Sequence, residues 1–489
     1  MPHPPEAPMT PTVTFPHRPR RGILLGLTVP QLIASAFTSL LLIAVLITGG
    51  VVGALQLTPL WGAAALLTFG RHRGRSLADW TPILTRYGLR RLGGQLIWLA
   101  YPSQRPAREG LLHLPGVSAS LRVVTAPDRR HGAVHDPHSG TLTAVVRVNS
   151  RAYALLDSAT QAANVAGWGR TLAALARTGH VARIQVVERT VPDSGDALRR
   201  YWERHGRPQA PLAGPLYGEL LKSAGPTAAP HEAYVAVSLD CRAARRLINQ
   251  AGGGLSGAFS VLGQVTSTFE RAARTAGLNP TGWLNAREIA ALVRTAYDPA
   301  ALTALTRWSP SGRPQADPAA AGPVVVVEHP DHIATDSAVH ATYWVVNWPR
   351  TETSPGFLHQ LVFAAGIRRT LSLFYEPKPL DGALRDVQRR KSSVIADAAE
   401  RARRGQVDSE SDSIEYQDIK QRERQLIAGH ADVAVTGLLT VSADSEEELR
   451  SACAVVETAA VAAQLDLRLL TWQQAQSFAA ASVPLALAV

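Results

Sequence analysis

The sequence predicts an α/β (α+β) protein with an amino-terminal two-helix transmembrane hairpin followed by two cytoplasmic α/β modules. Three observations lead to this prediction: an uncharged apolar run from Gly22 to Gly70, strands alternating with helices from Leu111 onward, and a Pro-rich stretch at residues 310–323. The chain has 489 residues, of which 46% are hydrophobic. That is enough for two or three domains of ordinary size, each with its own core.

The apolar run contains no Asp, Glu, Lys, Arg or His. A helix of about 20 apolar residues crosses the ~30 Å hydrocarbon core of a bilayer, so the run is long enough for two spans. We expect one span at about Thr28–Thr48 and another at about Val51–Phe69, with Gly49 and Gly50 at the turn. A cleaved signal peptide would have one shorter apolar segment followed by a small-residue cleavage site.

Basic residues flank the run on both sides. They are Arg18, Arg20 and Arg21 before it, and Arg71, Arg73 and Arg75 after it. The positive-inside rule then places both ends of the hairpin in the cytoplasm. The sequence therefore predicts a cell-membrane protein with two spans, cytoplasmic amino and carboxyl termini, and membrane lipid as one partner.

The segments beside the spans differ in composition. Residues 1–27 begin with a Pro-rich stretch without apolar periodicity and are predicted to be a disordered cytoplasmic tail. Residues 70–108 form a basic juxtamembrane segment that ends in a linker. Within it, Ser76–Leu99 combines Trp and Tyr with Arg, which suits the head-group layer of a bilayer. An amphipathic helix packed on the soluble part explains the same composition, and both interpretations stay open.

Period-two apolar patterns, turn residues and helical periodicity divide the remainder into a first module at 109–309, a linker at 310–323 and a second module at 324–489. The order of elements fits two split β-α-β (ferredoxin-like) sheets with a helical insertion. No repeat of fixed period is visible. The predicted strands are His131–Asp136, Thr141–Val148, Val181–Arg189, Ala233–Leu239, Val324–Glu328, Ala338–Asn347, Thr370–Tyr375, Ala434–Val441 and Leu465–Thr471. The predicted helices are Asp157–Thr178, Asp196–Lys222, Arg242–Leu305, Gly356–Ala365, Leu384–Ala428 and a helix from Ser445 to about Ala463.

No enzymatic motif emerges from the sequence. A phosphate-binding loop needs a Lys directly after a Gly, and none of the four Lys residues follows a Gly. Gly252, Gly254 and Gly257 have dinucleotide-loop spacing, but a helical segment rather than a strand precedes them, which favours a simple break between helices. We therefore expect a protein that is not an enzyme, with no catalytic residue and no cofactor.

Metal binding and disulfide formation are not expected either. His131, His135 and His138 lie close together in the sequence, but on a hairpin neighbouring side chains alternate between faces, and no Cys or carboxylate cluster joins them. The two cysteines, Cys241 and Cys453, are far apart in a region predicted to be cytoplasmic.

The formal net charge of +11 at pH 7 suggests nucleic-acid binding at first sight. Nearly all of the basic residues are Arg in an Ala-rich chain, and part of the excess lies beside the predicted spans, where it suits anionic lipid. Direct contact with DNA is therefore the less favoured alternative.

A charged segment, Gln388–Gly405, carries residues of alternating sign. This pattern is typical of a solvated helix pair with many salt bridges, and a docking surface for a partner is the alternative. The candidate docking residues are Arg389, Arg390, Arg401, Arg403 and Arg404.

Several segments, in this order over nearly the full length, resemble a family of actinobacterial conjugative-element membrane proteins. That family has a two-span amino terminus like that of PrgI-type membrane proteins, and cytoplasmic domains similar to the non-ATPase amino-terminal half of type IV secretion ATPases. The segments are Gly74–Trp80, His135–Val148, Gly277–Leu302, Ser372–Pro377, Gly437–Leu449 and Gln473–Leu487.

This resemblance implies a membrane scaffold of a conjugative, type IV secretion-like DNA-transfer apparatus. It further implies an oligomer that docks a separate motor ATPase and other transfer-apparatus subunits at the cytoplasmic face. Two alternatives remain: a structural membrane subunit of a type VII secretion machine, and a membrane-tethered DNA-handling protein.

Overall fold

A computed structural model describes most of the chain. The described residues are 28–72, 75–100, 109–128, 130–150, 155–191, 202–203, 205–207, 209–223, 230–309, 313–349, 353–354, 356–364, 366–378, 380–403, 410–427 and 431–487. They form two compact units, one ending at Ile97 and the other beginning at Trp98. The predicted tail at 1–27 and residues 101–108 of the predicted juxtamembrane linker lie outside the described residues.

The first unit is built from two apolar helices and a third helix that carries arginines. Its elements are α1 (Val29–Gln56), α2 (Thr58–Phe69), β1 (Arg71–His72), β2 (Arg75–Ser76) and α3 (Leu77–Leu92). Thr28 and Gln31 form a capping box at the start of α1, and Gly50, at φ 63°, interrupts its helical geometry. Among the described helices, α1 is long and apolar enough to cross a bilayer, with a mean hydropathy of 2.3, whereas α2 is a shorter apolar helix.

The second unit contains the remaining strands and helices. Its strands are β3 (Ile97–Leu99), which starts at the last residue of the first unit, β4 (Arg122–Thr125), β5 (Gly132–Asp136), β6 (Thr141–Ser150), β7 (Val181–Thr190), β8 (His231–Asp240), β9 (Leu278–Trp283), β10 (Val325–Glu328), β11 (Ile333–Ala334), β12 (Val339–Asn347), β13 (Arg368–Pro377), β14 (Val433–Ala443) and β15 (Asp466–Leu469). Its helices are α4 (Ser158–Arg177), α5 (Ala213–Ser223), α6 (Arg245–Gln250), α7 (Gly254–Thr275), α8 (Ala286–Tyr297), α9 (Ala301–Arg307), α10 (His359–Val362), α11 (Leu380–Arg403), α12 (Glu410–Ile427), α13 (Glu446–Ala462) and α14 (Gln474–Ser482).

The strands of this unit form one large sheet, which confirms the predicted mixed α/β class. The sheet has 13 strands in the order β3-β10-β11-β12-β14-β13-β7-β8-β6-β5-β4, with β15 added to β12 and β9 added to β6. The neighbouring strands for which a register is defined pair antiparallel. The two predicted modules therefore share a single sheet, which is continuous through the pairing of β7 with β13.

The two halves of this sheet repeat one arrangement. In the first half the strands lie in the order β9-β6-β8-β7, and in the second half in the order β15-β12-β14-β13. A short antiparallel pair precedes each set, and a helix follows each set, namely α8 and α14. The number of residues between corresponding strands is not constant, because the connections differ in length. The first residues of corresponding strands are Thr141 and Val339, Val181 and Arg368, and His231 and Val433. This explains why no fixed period is visible in the sequence.

Helices cover both faces of the sheet. Helices α4 and α7 pack on one face of the first half through residues such as Leu175 and Phe269, which are fully buried. In the second half α13 packs through residues such as Val456. Val186 packs with α4 and α7, and Leu373 packs with α13. Because these two residues are directly opposed across the β7–β13 pair, the three helices lie on the same face of the sheet. The opposite face is covered by α8, α14 and residues 483–486.

The seam between the halves is tied by a buried Gln185. Its Nε2 donates to Ser372 Oγ at 3.1 Å and to the carbonyl oxygen of Ala480 at 3.1 Å, and its Oε1 accepts from the amide of Ala486 at 2.7 Å. Ser372 in turn donates to the carbonyl oxygen of Ala481 at 2.5 Å. One side chain of β7 therefore joins both halves of the sheet to the end of α14 and to the segment that follows it.

The predicted linker at 310–323 is packed over the part that the structure describes. The amide of Ala316 donates to the carbonyl oxygen of Arg287 at 3.0 Å, and Ala321 is fully buried in the same core cluster as α8. A short 3-10 helix, Pro318–Ala320, lies between these two contacts. Residues 313–323 are thus held against the first half of the sheet.

Replacing Gln185 by Ala should lower the free energy of unfolding of the full chain in detergent by about 1–3 kcal/mol, because the seam then contains buried groups without partners. Gln264→Ala is the matched control: Gln264 is an exposed side chain on α7, and its loss should change the value by about 0.5 kcal/mol or less. Urea unfolding followed by tryptophan fluorescence measures both variants. Equal stabilities of the two variants would contradict the role given to Gln185.

Candidate membrane anchor and interaction surfaces

Polar side chains of the first unit gather where α1 begins and α2 ends. The buried Gln31 donates from Nε2 to the carbonyl oxygen of Thr68 at 2.8 Å, and its Oε1 accepts from the amide of Thr28 at 2.9 Å. Thr28 Oγ1 donates to Asp79 Oδ1 at 2.8 Å, and Ser76 Oγ donates to the other oxygen of Asp79 at 2.7 Å. This cluster joins the start of α1, the end of α2 and the start of α3.

The rest of α1 presents an exposed apolar surface. No residue in its most apolar 18-residue window is buried. The side chains that are at least 65% exposed include Ile33, Phe37, Leu40 and Ile47. An apolar surface of this extent is unfavourable in water and marks contact with lipid or with another protein. The helix is therefore a candidate membrane anchor.

Only part of the predicted basic flank can be located. Arg71 is exposed in β1, which pairs antiparallel with β2 so that Arg71 lies opposite Ser76. Arg75 lies in β2, opposite His72. Arg18, Arg20, Arg21 and Arg73 lie outside the described residues.

Residues 388–403 of the charged segment lie in α11, which forms a helix pair with α12 between β13 and β14. The base of the insertion is closed by the Lys378 amide, which donates to the carbonyl oxygen of Asp432 at 2.9 Å. The two helices bury a small core of their own, made of Ala383, Val387, Val394, Ile419 and Leu426.

Ion pairs connect the two helices and their base. Lys391 Nζ lies 2.8 Å from a carboxylate oxygen of Glu423, and a guanidinium nitrogen of Arg422 lies 2.5 Å from Asp432. The predicted docking residues Arg389 and Arg390 are exposed on α11, with Arg390 Nε 3.7 Å from Asp386 Oδ2. Arg403 is also exposed at the end of α11. The Arg401 side chain and the whole of Arg404 lie outside what the structure describes.

A cluster of charges around the buried Arg189, in the first half, was not predicted from the sequence. Glu232 Oε2 accepts from Arg189 Nε at 2.9 Å and Nη2 at 2.7 Å, and its Oε1 accepts from Arg147 Nη2 at 3.2 Å. Tyr234 donates to Glu232 at 3.0 Å, and Arg189 Nη1 donates to Thr295 Oγ1 at 3.1 Å. These residues come from three strands and a helix, so no local sequence pattern links them.

The pKa of Glu232 is set by two opposing effects. Burial raises it, but the guanidinium groups of Arg189 and Arg147 together outweigh burial, and the pKa of this carboxyl group is lowered from its ordinary value. The cavity beside the cluster measures only about 10 Å³, which is room for about one water molecule. The cluster is therefore an internal structural element rather than a substrate site.

The histidines with metal-site spacing and the glycines with dinucleotide-loop spacing lie in ordinary turns, strands and helices: His135 belongs to β5 and Gly257 lies within α7. His131 and Asp128 form an exposed pair at 2.8 Å beside β5, and His138 is exposed in the β5–β6 turn. Gly252, Gly253 and Gly254 all have positive φ between α6 and α7, which is the helix break that the sequence predicts. The part of the chain that the structure describes contains no group of three or more His, Cys, Asp or Glu suited to hold a metal ion.

An exposed helix that is long and apolar enough to cross a membrane, together with a large mixed α/β unit, indicates a membrane-associated protein with a globular domain. Residues 227–345 match the family described as "Putative type VII ESX secretion system translocon, EccE". A search of curated proteins finds no match. The matched residues run from just before β8 to β12, across the end of the first half and the start of the second. The match indicates a membrane component of a secretion system, and it favours the type VII alternative over the type IV interpretation.

Replacing Glu232 by Ala should lower the free energy of unfolding by about 3–5 kcal/mol, because Arg189 would remain buried without its carboxylate partner. Glu219→Ala, which removes an exposed carboxylate on α5, is the control and should change it by about 0.5 kcal/mol or less. Urea unfolding of the full chain in detergent measures both variants.

The same ion pair gives a pH dependence. Because the folded pKa of Glu232 lies below its ordinary value of 4.5, the stabilisation is fully present above about pH 4.5 and is lost as the pH falls through the folded pKa. The difference between the original protein and Glu232→Ala should therefore shrink on acidification. A difference that does not depend on pH would contradict the ion-pair explanation.

Proposed function

We propose that the protein is an integral membrane scaffold subunit of a type VII secretion machine, which it joins through its globular α/β unit. The observation that carries the proposal is the combination, in one chain, of an exposed apolar helix with a globular unit that matches the EccE family over residues 227–345. Lipid and other subunits of the machine are its partners in this proposal, and the assembled form is an oligomer.

The proposed anchor is a two-span hairpin with its turn at Gly49 and Gly50. Gly50 departs from helical geometry. Two pairs of residues are in contact, and in each pair one residue precedes Gly50 and the other follows it by a similar number of residues. These pairs are Gln31 with Thr68, through a hydrogen bond, and Val45 with Gly53, whose ideal Cβ position lies 3.8 Å from a methyl group of Val45. A backbone that reverses at Gly50 gives both pairings, and each arm is then about as long as a bilayer core is thick.

The proposed globular unit consists of two ferredoxin-like halves joined edge to edge. The supporting observation is the strand order. In the first half β8 lies between β6 and β7, and β9 pairs with the other side of β6. In the second half β14 lies between β12 and β13, and β15 pairs with the other side of β12. A scaffold function agrees with this organisation, because the largest connections, which include α11 and α12, project from a covered sheet.

We infer that this chain is not an enzyme and that a separate ATPase supplies the motor activity of the machine. The absence of a Gly-Lys pair from the sequence supports this inference, because a phosphate-binding loop requires one. The type IV conjugative interpretation and direct DNA binding have no comparable support from the family match, and we do not retain them as the main function.

Reporter domains fused at residues 10, 50 and 110 test the topology. The proposed hairpin predicts that only the fusion at residue 50 is exposed outside the cytoplasm, because the two arms cross the bilayer in opposite directions. Alkaline phosphatase activity and fluorescence of a cytoplasm-dependent reporter give opposite patterns for the two sides. An external signal at residue 110 would show that the chain crosses the membrane once.

The double variant Arg389→Glu, Arg390→Glu tests whether α11 docks other subunits. Reversing two exposed charges should reduce the secretion subunits recovered with the tagged full-length chain by about tenfold, since interface charges set encounter and register. Arg245→Glu, Arg246→Glu is the matched control, an adjacent exposed pair on α6. Quantitative mass spectrometry of complexes purified from native membranes compares them. Equal losses for both double variants would argue against a specific docking surface.

A further inference from the structure

The α3 helix carries an open groove that the proposed scaffold function does not explain. Its volume is about 520 Å³, and it is lined by Thr81, Thr85, Arg86, Leu89, Arg90 and Gln95, among others. All of these residues belong to the first unit.

The groove lies close in the chain to the ends of the apolar helices. Asp79, in the first turn of α3, accepts the hydrogen bond from Thr28 at the start of α1. The neighbouring Gln31 bonds to Thr68 at the end of α2. Because α1 and α2 meet at this end, α3 begins at the level where the proposed spans leave the hydrocarbon core, which is the level of lipid head groups.

The charge of this stretch has one sign. Between Trp80 and Ala100 the sequence contains no Asp or Glu, and Arg86 and Arg90 line the groove. Guanidinium groups bind phosphate through paired N–H donors, and basic residues beside a membrane attract anionic lipid. The charge in and around the groove is thus complementary to a phosphodiester.

Apolar side chains accompany these arginines. Leu84, Leu89 and Leu92 are 44%, 65% and 88% exposed on α3. Exposed leucines beside arginines on one short helix are typical of a helix that contacts the boundary between head groups and acyl chains. A soluble phosphate compound would leave these leucines in water, whereas a lipid would cover them.

The groove also contains two threonine hydroxyl groups whose hydrogens are donated to backbone carbonyl oxygens. Thr81 Oγ1 donates to the carbonyl oxygen of Ala78 at 2.7 Å, and Thr85 Oγ1 donates to the carbonyl oxygen of Thr81 at 2.7 Å. Each hydroxyl oxygen retains a lone pair that accepts a hydrogen bond. Groups that donate hydroxyl hydrogens, such as glycerol or inositol, match these acceptors.

We propose that this groove binds an anionic glycerophospholipid whose head group is a polyol, with the phosphate on Arg86 and Arg90 and the polyol hydroxyls towards Thr81 and Thr85. The inference rests on the proposed insertion of α1 and α2 into a membrane. Hydrophobicity alone would let the anchor insert without preference for one lipid type, and this site would add such a preference.

Native mass spectrometry of the full chain in detergent, with added phosphatidylglycerol or phosphatidylcholine, tests the proposal. The original protein should retain phosphatidylglycerol preferentially. Arg86→Gln, Arg90→Gln should weaken its retention about tenfold, while Arg86→Lys, Arg90→Lys should keep most of it because the charge remains. Arg91→Gln is the matched control: Arg91 is an arginine of the same helix that does not line the groove, and its loss should leave retention nearly unchanged.

Three outcomes would overturn the proposal. They are equal retention of both lipids by the original protein, an equal loss in Arg91→Gln, and full competition by glycerol phosphate at the lipid's own concentration. Resistance of the chain to extraction from membranes by alkaline carbonate is measured in parallel. Extraction of the chain would overturn the membrane anchor as well, whereas a resistant chain without lipid preference would overturn the lipid site alone.

Discussion

The pairing of β7 with β13 is the constraint on which the globular unit depends. Neither half has a complete second face by itself, because α14 and the residues after it lie across strands from both halves. Tyr297 of α8 and Phe478 of α14 pack edge to face, with ring centroids 5.0 Å apart, on this shared side. The buried amide of Gln185 fixes the register, since a shift by one residue would turn it to the other face and leave the Ala480 and Ala486 backbone groups unpaired.

Local sequence patterns predicted most of the strands and helices. The hairpin of β5 and β6, the strand β7 and the cap of α13 at Ser445 all lie close to the predicted positions, because turn chemistry, alternation and capping act over a few residues. The same patterns contain no information about which strands meet. The β7–β13 pair joins residues such as Val187 and Ser372, and the cluster of Arg147, Arg189 and Glu232 comes from three separate strands. Such contacts were therefore not predicted.

For the membrane anchor, too, the sequence predicted the local structure better than the contacts between distant residues. The uncharged run predicted two spans with a turn at Gly49 and Gly50. The structure contains an apolar helix there, Val29–Gln56, whose helical geometry is interrupted at Gly50. The type IV interpretation of the sequence was not confirmed, for a related reason. An apolar helix followed by α/β structure does not by itself identify the kind of secretion machine, because a shared architecture does not decide function. The match over residues 227–345 favours the type VII alternative.

The antiparallel seam determines where the two large insertions leave the sheet. One insertion follows Thr190 at the end of β7, and the other, containing α11 and α12, follows Pro377 at the end of β13. Because Arg189 lies opposite Thr370 near the start of β13, these exits are at opposite ends of the strands. A strand of this length measures roughly 33 Å at about 3.3 Å per residue. The sheet thus holds the two exits apart at a fixed distance that is most of this length.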